Sequence, residues 1–164
     1  MKGPVPAALL LLAVLLASSP AAALHPTYLD IAVGRGGNAT VTFEYSLPPV
    51  EQFLAWVGAV RPDRDLELIF NATAGGGVET LSAGDGVTLF SVEDFAAVSG
   101  DDAGTTYRTP DLNLSWAREG YENSVLAPLL DPDFSPDMTV IRFPDGYSVT
   151  YHGELLIPAT VHSY

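Results

Sequence analysis

Residues 140–156 read VIRFPDGYSVTYHGELL. Two runs with apolar residues at alternating positions flank Pro144-Asp145-Gly146, and His152-Gly153 makes a second break. A period of two is that of a strand, whose successive side chains point to opposite faces. Pro144 presets φ for a turn and cannot donate to a ladder, while Asp145 and Gly146 tolerate positive φ. The stretch therefore predicts a β-hairpin with strands over Met138–Phe143 and Tyr147–Tyr151, and a last short strand at Leu155–Ile157.

The same period runs through much of the chain. Ala39–Tyr45 reads ATVTFEY and places Val41, Phe43 and Tyr45 on one face. Phe53–Val57 is a more continuous apolar run, as in a strand covered on both sides. Leu66, Leu68 and Phe70 alternate, and Val87–Phe90 is short and β-prone. Breakers at Gly34–Gly37, Pro48-Pro49, Gly75–Gly77, Gly84–Gly86 and Asp131-Pro132 divide these runs at spacings that suit an antiparallel sandwich. Helical signal is confined to a turn or two at Val92–Val98, with Glu93 and Asp94 near its start, and to Asn123–Leu130. Ser99–Thr106 reads as a mobile loop. The expected fold class is all-β, an antiparallel two-sheet β-sandwich.

Met1–Ala23 has the organisation of a cleaved signal peptide. Lys2 gives a positive start, Ala7–Ala17 an apolar core, and Ala21 and Ala23 a small-x-small cleavage pattern. The core is shorter than the roughly 20 residues of a membrane span. The expectation is a secreted single domain over residues 24–164, with no membrane span. No cysteine is present, which excludes a disulfide scaffold and thiolate metal sites. Once Lys2 is removed, six arginines face 20 acidic residues, so nucleic acid and anionic membrane surfaces are unsuitable partners. Three sequons, at Asn38, Asn71 and Asn113, are candidate glycosylation sites in a secreted chain.

Catalytic chemistry has little to work with. The only histidines are His25, His152 and His162, and no nucleophile elbow, phosphate loop or zinc-type spacing appears. The chain is expected not to be an enzyme, and no cofactor is implied. Asp131, Asp133 and Asp137 supply the hard oxygens of a calcium loop but lack the glycine and distal glutamate of an EF-hand; a solvated turn is the preferred reading. Trp116-Ala-Arg-Glu119 is more suggestive. A sugar site needs an aromatic face against the C–H side of the ring and a carboxylate to accept hydroxyl protons. Trp116 and Glu119 are of those types, and Arg118 can orient the acid by charge-assisted hydrogen bonds. The alternative for Trp116 is core packing.

Order along the chain adds to this. QFLAWVGAVRPDRDLELIFN (52–71), LNLSWAREGYEN (112–123) and MTVIRFPDGYSVTYHGELL (138–156) together resemble the galectin family. The resemblance covers roughly residues 50–157. It implies a jelly-roll sandwich of the galectin and concanavalin kind, with sugar lying across a concave sheet. It assigns Asn71, Trp116 and Glu119 as sugar contacts; Arg118, from its place beside Glu119, is a lesser candidate. The pattern departs at Ile69, Thr73, Ala117 and Tyr121, where the family has histidine, arginine, glycine and arginine, and near Thr109, where it has asparagine. Three missing hydrogen bonds of about 0.5–1.5 kcal/mol each would lower affinity by on the order of a hundredfold.

Three functions follow as expectations: a secreted lectin binding a glycan or glycoprotein with altered preference, a galectin-like domain working by protein contact in adhesion or receptor binding, and an unrelated secreted β-sandwich.

Overall fold

The computed structural model describes residues 25–47, 77–84, 86–101, 104–115 and 134–164, together with Glu67 and Asn71. The signal segment, the expected strand at Phe53–Val57 and the helical candidate at Asn123–Leu130 lie outside these residues.

The described residues are nearly all β. Its strands are β1 (His25–Val33), β2 (Ala39–Ser46), β3 (Val78–Gly84), β4 (Val87–Val92), β5 (Ala97–Asp101), β6 (Gly104–Arg108), β7 (Leu112–Asn113), β8 (Met138–Arg142), β9 (Ser148–Tyr151), β10 (Leu156–Ile157) and β11 (Val161–Ser163). Six of them form one open sheet in the order β3-β4-β2-β1-β8-β9. Two smaller sheets follow, β11-β6-β5 and β10-β7.

Alternation decides which face is buried. In β2, Val41, Phe43 and Tyr45 point inward while Thr40, Glu44 and Ser46 are exposed. Register carries that face across the sheet: Phe43 lies opposite Leu29 and Thr88, and Ile31 lies between Val41 and Ile141. Tyr107, Leu112 and Ile157 from the smaller sheets, and Leu114 just after β7, enter the same core cluster. All three sheets therefore bury apolar area in common, at about 25 cal/mol per Å² removed from water.

The quoted hairpin forms as β8–β9. Gly146 N–H donates to Phe143 O at 3.0 Å, Phe143 N–H donates to Tyr147 O at 2.8 Å, and Gly146 has φ +91°. This is a type I turn closed by a left-handed glycine. The β1–β2 turn repeats it: Gly37 N–H to Gly34 O at 3.0 Å, Gly34 N–H to Asn38 O at 2.7 Å, Gly37 φ +91°.

Four expectations change. The large sheet is mixed, not purely antiparallel, because β1 runs parallel to β8. Hairpin signals specify antiparallel neighbours only; the burial of Leu29, Ile31 and Ile141 in one core brings β1 to the other side of β8. Val92–Val98 is not helical: Glu93 and Asp94 make a turn, Phe95 and Ala96 are buried, and β5 follows. Within Ser99–Thr106, expected as a loop, residues 99–101 and 104–106 are paired strand of the β5–β6 hairpin, with Ser99 opposite Thr106 and Gly100 opposite Thr105. Its polar composition hides the flanking pair of Val98 and Tyr107, of which Tyr107 is buried. Within the expected Leu66–Phe70 strand, Glu67 is helical, as is Asn71. Among the described residues no helix is long and apolar enough to cross a membrane.

Candidate functional site

Of the sugar contacts nominated from sequence, Trp116, Arg118 and Glu119 lie outside the described residues, and Asn71 lies within them. The approach to Trp116 is firmly held. Leu112 and Leu114 are buried, Leu114 N–H donates to Leu155 O at 2.8 Å, and Asn113 Oδ1 accepts both the Ser115 N–H at 3.0 Å and the Ser115 hydroxyl at 2.6 Å. Asn71 is exposed, and its Oδ1 accepts the Val78 N–H at 3.2 Å. Asn38 is exposed too, and its Oδ1 accepts the Asp94 N–H at 3.0 Å, holding Asp94 at φ +49°. In each sequon asparagine the carbonyl oxygen is engaged, whereas a glycan is linked through the amide nitrogen.

A second group, unforeseen from sequence, gathers where the β8–β9 turn meets β11. Asp145, inside the turn, accepts the Tyr147 N–H on Oδ1 at 3.0 Å. Its Oδ2 lies 2.7 Å from His162 Nε2. In β11, His162 stands opposite Tyr107, and Tyr164 follows two positions on. A two-residue step keeps both side chains on one face of the strand. The rings then make a continuous set. Tyr147 stacks on His162 with centroids 4.2 Å apart and planes 12° apart, and Tyr164 lies against His162 at 5.8 Å. Tyr164 also stacks on Tyr107 at 5.8 Å and 2°, and buried Phe143 underlies His162 at 5.0 Å.

Burial differs across the set in a useful way. His162 and Asp145 have side chains 14% and 23% exposed, so their pairing is largely screened from solvent. Tyr147 and Tyr164 are 48% and 47% exposed. Two aromatic residues thus stand half in solvent on a fixed base. Burial raises the Asp145 pKa, but the hydrogen bonds from His162 and the Tyr147 amide outweigh it and hold the carboxyl below its ordinary range. Each oxygen accepts one bond and keeps a further lone pair. The Tyr107 hydroxyl donates to Arg35 O at 3.2 Å and lies 3.4 Å from the Tyr164 hydroxyl. That contact with Tyr164, and then burial, raise the Tyr107 pKa. Aromatic faces beside a maintained carboxylate and phenolic hydroxyls can stack on an apolar ring face and accept or donate hydrogen bonds at its margin.

The signal for this group was present but divided. Asp145 and Tyr147 belong to the hairpin, whereas His162 and Tyr164 belong to a three-residue strand that has no periodicity to announce it.

A third polar group sits on the opposite face of the large sheet. Arg142 Nη2 donates to Tyr28 Oη at 3.0 Å, and Arg142 Nε lies 3.1 Å from Asp30 Oδ1. The second approach is an ion contact without hydrogen-bond alignment, and Asp30 Oδ1 finds no hydrogen-bond donor among the described residues. Burial raises the Asp30 pKa more than Arg142 lowers it. Among the described residues no three His, Asp or Glu side chains come together as metal ligands.

No protein-family model, curated protein or solved structure matches this chain.

Proposed function

We propose that the protein is a secreted carbohydrate-binding protein built as a two-sheet, galectin-like β-sandwich. The observation that carries this is the ring set at the β8–β9 turn. Tyr147 and Tyr164 are half exposed on a base of His162, Tyr107 and Phe143, with Asp145 alongside. A pyranose stacks its C–H face on such rings and gives its hydroxyl protons to the carboxylate. Fixed aromatic side chains give contact area at low conformational cost. Trp116, Glu119, Asn71 and Arg118 form the second set of contacts, read from sequence.

The test is a glycan-array screen of the secreted protein, beside the double variant Tyr147→Ala/Tyr164→Ala and the single variant Trp116→Ala. Wild-type binding that the double variant loses while remaining folded supports the proposal. Absence of binding by folded wild type, or equal binding by the double variant, removes the ring set as its basis. Trp116→Ala reports whether the two sets serve one ligand.

A second reading is a secreted β-protein that acts through protein contacts. Leu156 and Val161 are 62% and 60% exposed on the smaller sheets, and tyrosine is enriched at interface cores. A folded protein that binds no glycan but captures a specific protein partner supports this second reading.

A further inference from the structure

β3 is one end of the six-stranded sheet. Such an edge presents outward N–H and C=O groups on which another strand can add. Its outward groups are identifiable from the ladder. Glu93 N–H donates to Gly77 O at 2.9 Å, and Val78 lies opposite Val92. In an antiparallel pair, successive residues turn their backbone groups alternately toward and away from the partner. Gly77 faces β4, so Val78 turns its N–H to the other side, where no strand lies among the described residues.

Asn71 takes that N–H, through Oδ1. Glu67, four residues earlier and likewise helical, accepts the Thr80 hydroxyl at 2.8 Å. Asn71 therefore lies on the side of β3 away from β4, beside its first residue. Further along, the register shifts between Thr80 and Ser82, leaving Leu81 as an extra residue, and Leu81 is 51% exposed. A bulge twists an edge and discourages pairing, but this one displays an apolar side chain while doing so.

Asn71 also opens the sequon Asn71-Ala72-Thr73. Its bond to Val78 uses the carbonyl oxygen, and the amide nitrogen is the atom that takes a glycan. We propose that Asn71 carries an N-linked glycan that shields the β3 edge against pairing with a second copy of this chain. The bond to Val78 N–H fixes the root of the glycan beside the outward backbone groups, and a bulky hydrated chain there excludes an incoming strand. The inference rests on the secretory reading of residues 1–23; a glycan on Asn71 takes that residue out of the sugar contacts, and the proposed glycan binding then stands on the ring set with Trp116, Glu119 and Arg118.

Thr73→Ala tests it, because it destroys the sequon and keeps Asn71 and its bond. Wild type and variant are secreted from a eukaryotic host, glycopeptides are mapped by mass spectrometry, and sedimentation is compared at equal concentration. The expected result is an occupied Asn71 and a monomer for wild type, and dimers or larger species for Thr73→Ala. In the associated form, amide exchange slows over Val78–Gly84, and adding Leu81→Lys restores the monomer. If Thr73→Ala is not secreted, peptide N-glycosidase removes the glycan from folded wild type. That leaves an aspartate able to accept the Val78 N–H, and the same association is expected. An unmodified Asn71 in secreted wild type, or a monomer after the glycan is lost, overturns the proposal.

Discussion

The β1–β2 and β8–β9 turns share one local design and differ in what leans on them. Both close a type I turn with a glycine at φ +91°, and both carry the same pair of backbone hydrogen bonds. Around Gly37 the turn is packed: its carbonyl accepts the Ala96 N–H at 2.8 Å, and a side chain on Gly37 would overlap the Ala96 carbonyl oxygen. A side chain on Gly146 would meet nothing within 4 Å beyond its chain neighbours. Local sequence sets the turn type, and tertiary packing sets the consequence of altering it. One turn pins the β4–β5 connection to the sheet. The other has room at its glycine, while its Asp145 and Tyr147 engage His162 of β11.

Replacing the two glycines tests that contrast. Gly37→Ala is expected to cost about 3 kcal/mol or more, from left-handed strain of roughly 1–2 kcal/mol plus a broken bond to Ala96 worth about 1–3 kcal/mol. Gly146→Ala is expected to cost only the strain, about 1–2 kcal/mol. Denaturant midpoints measured at equal slope give both values. Equal costs would mean that the packing of Ala96 against Gly37 adds nothing.

Smaller effects separate the two carboxylates by sign. Asp145 has a folded pKa below its ordinary value, since the hydrogen bonds from His162 and Tyr147 outweigh burial. Between that value and the ordinary one the unfolded chain binds more protons, so stability rises with pH across this window. The contribution is lost as pH falls through the folded pKa. Asp145→Asn is expected to flatten that acid limb in pH-dependent unfolding. Asp30 has the opposite sign: burial, only partly offset by Arg142, raises its folded pKa. Its contribution falls as pH rises above the ordinary carboxylate range. Asp30→Asn is therefore expected to gain stability relative to wild type as pH rises from acid to neutral. The same slope in both variants would contradict the assignment of burial as the larger influence on Asp30 alone.

How much of this was legible in sequence depended on the range of the signal. The β8–β9 hairpin, the inward face of β2 and the strand beginning at Val87 are local patterns and were readable directly. β1 was not, because Pro26 and Asp30 interrupt its alternation, and only its two neighbours make it a central strand. Its parallel pairing with β8 joins residues more than a hundred positions apart, beyond any turn signal. The ring set was harder still. The Tyr147 and His162 rings meet only because β11 pairs with β6 and brings His162 opposite Tyr107 beside the turn. Asn71 was legible as a sequon and as a family-type contact, but its place on the β3 edge depends on the ladder register.

The most direct test of the account is to titrate the strongest array glycan onto wild type and onto folded Tyr147→Ala, comparing Kd by calorimetry. A loss of about tenfold or more, the equivalent of roughly 1.4 kcal/mol, is the result the ring set requires. An unchanged Kd, or no glycan ligand for the folded wild type, contradicts it.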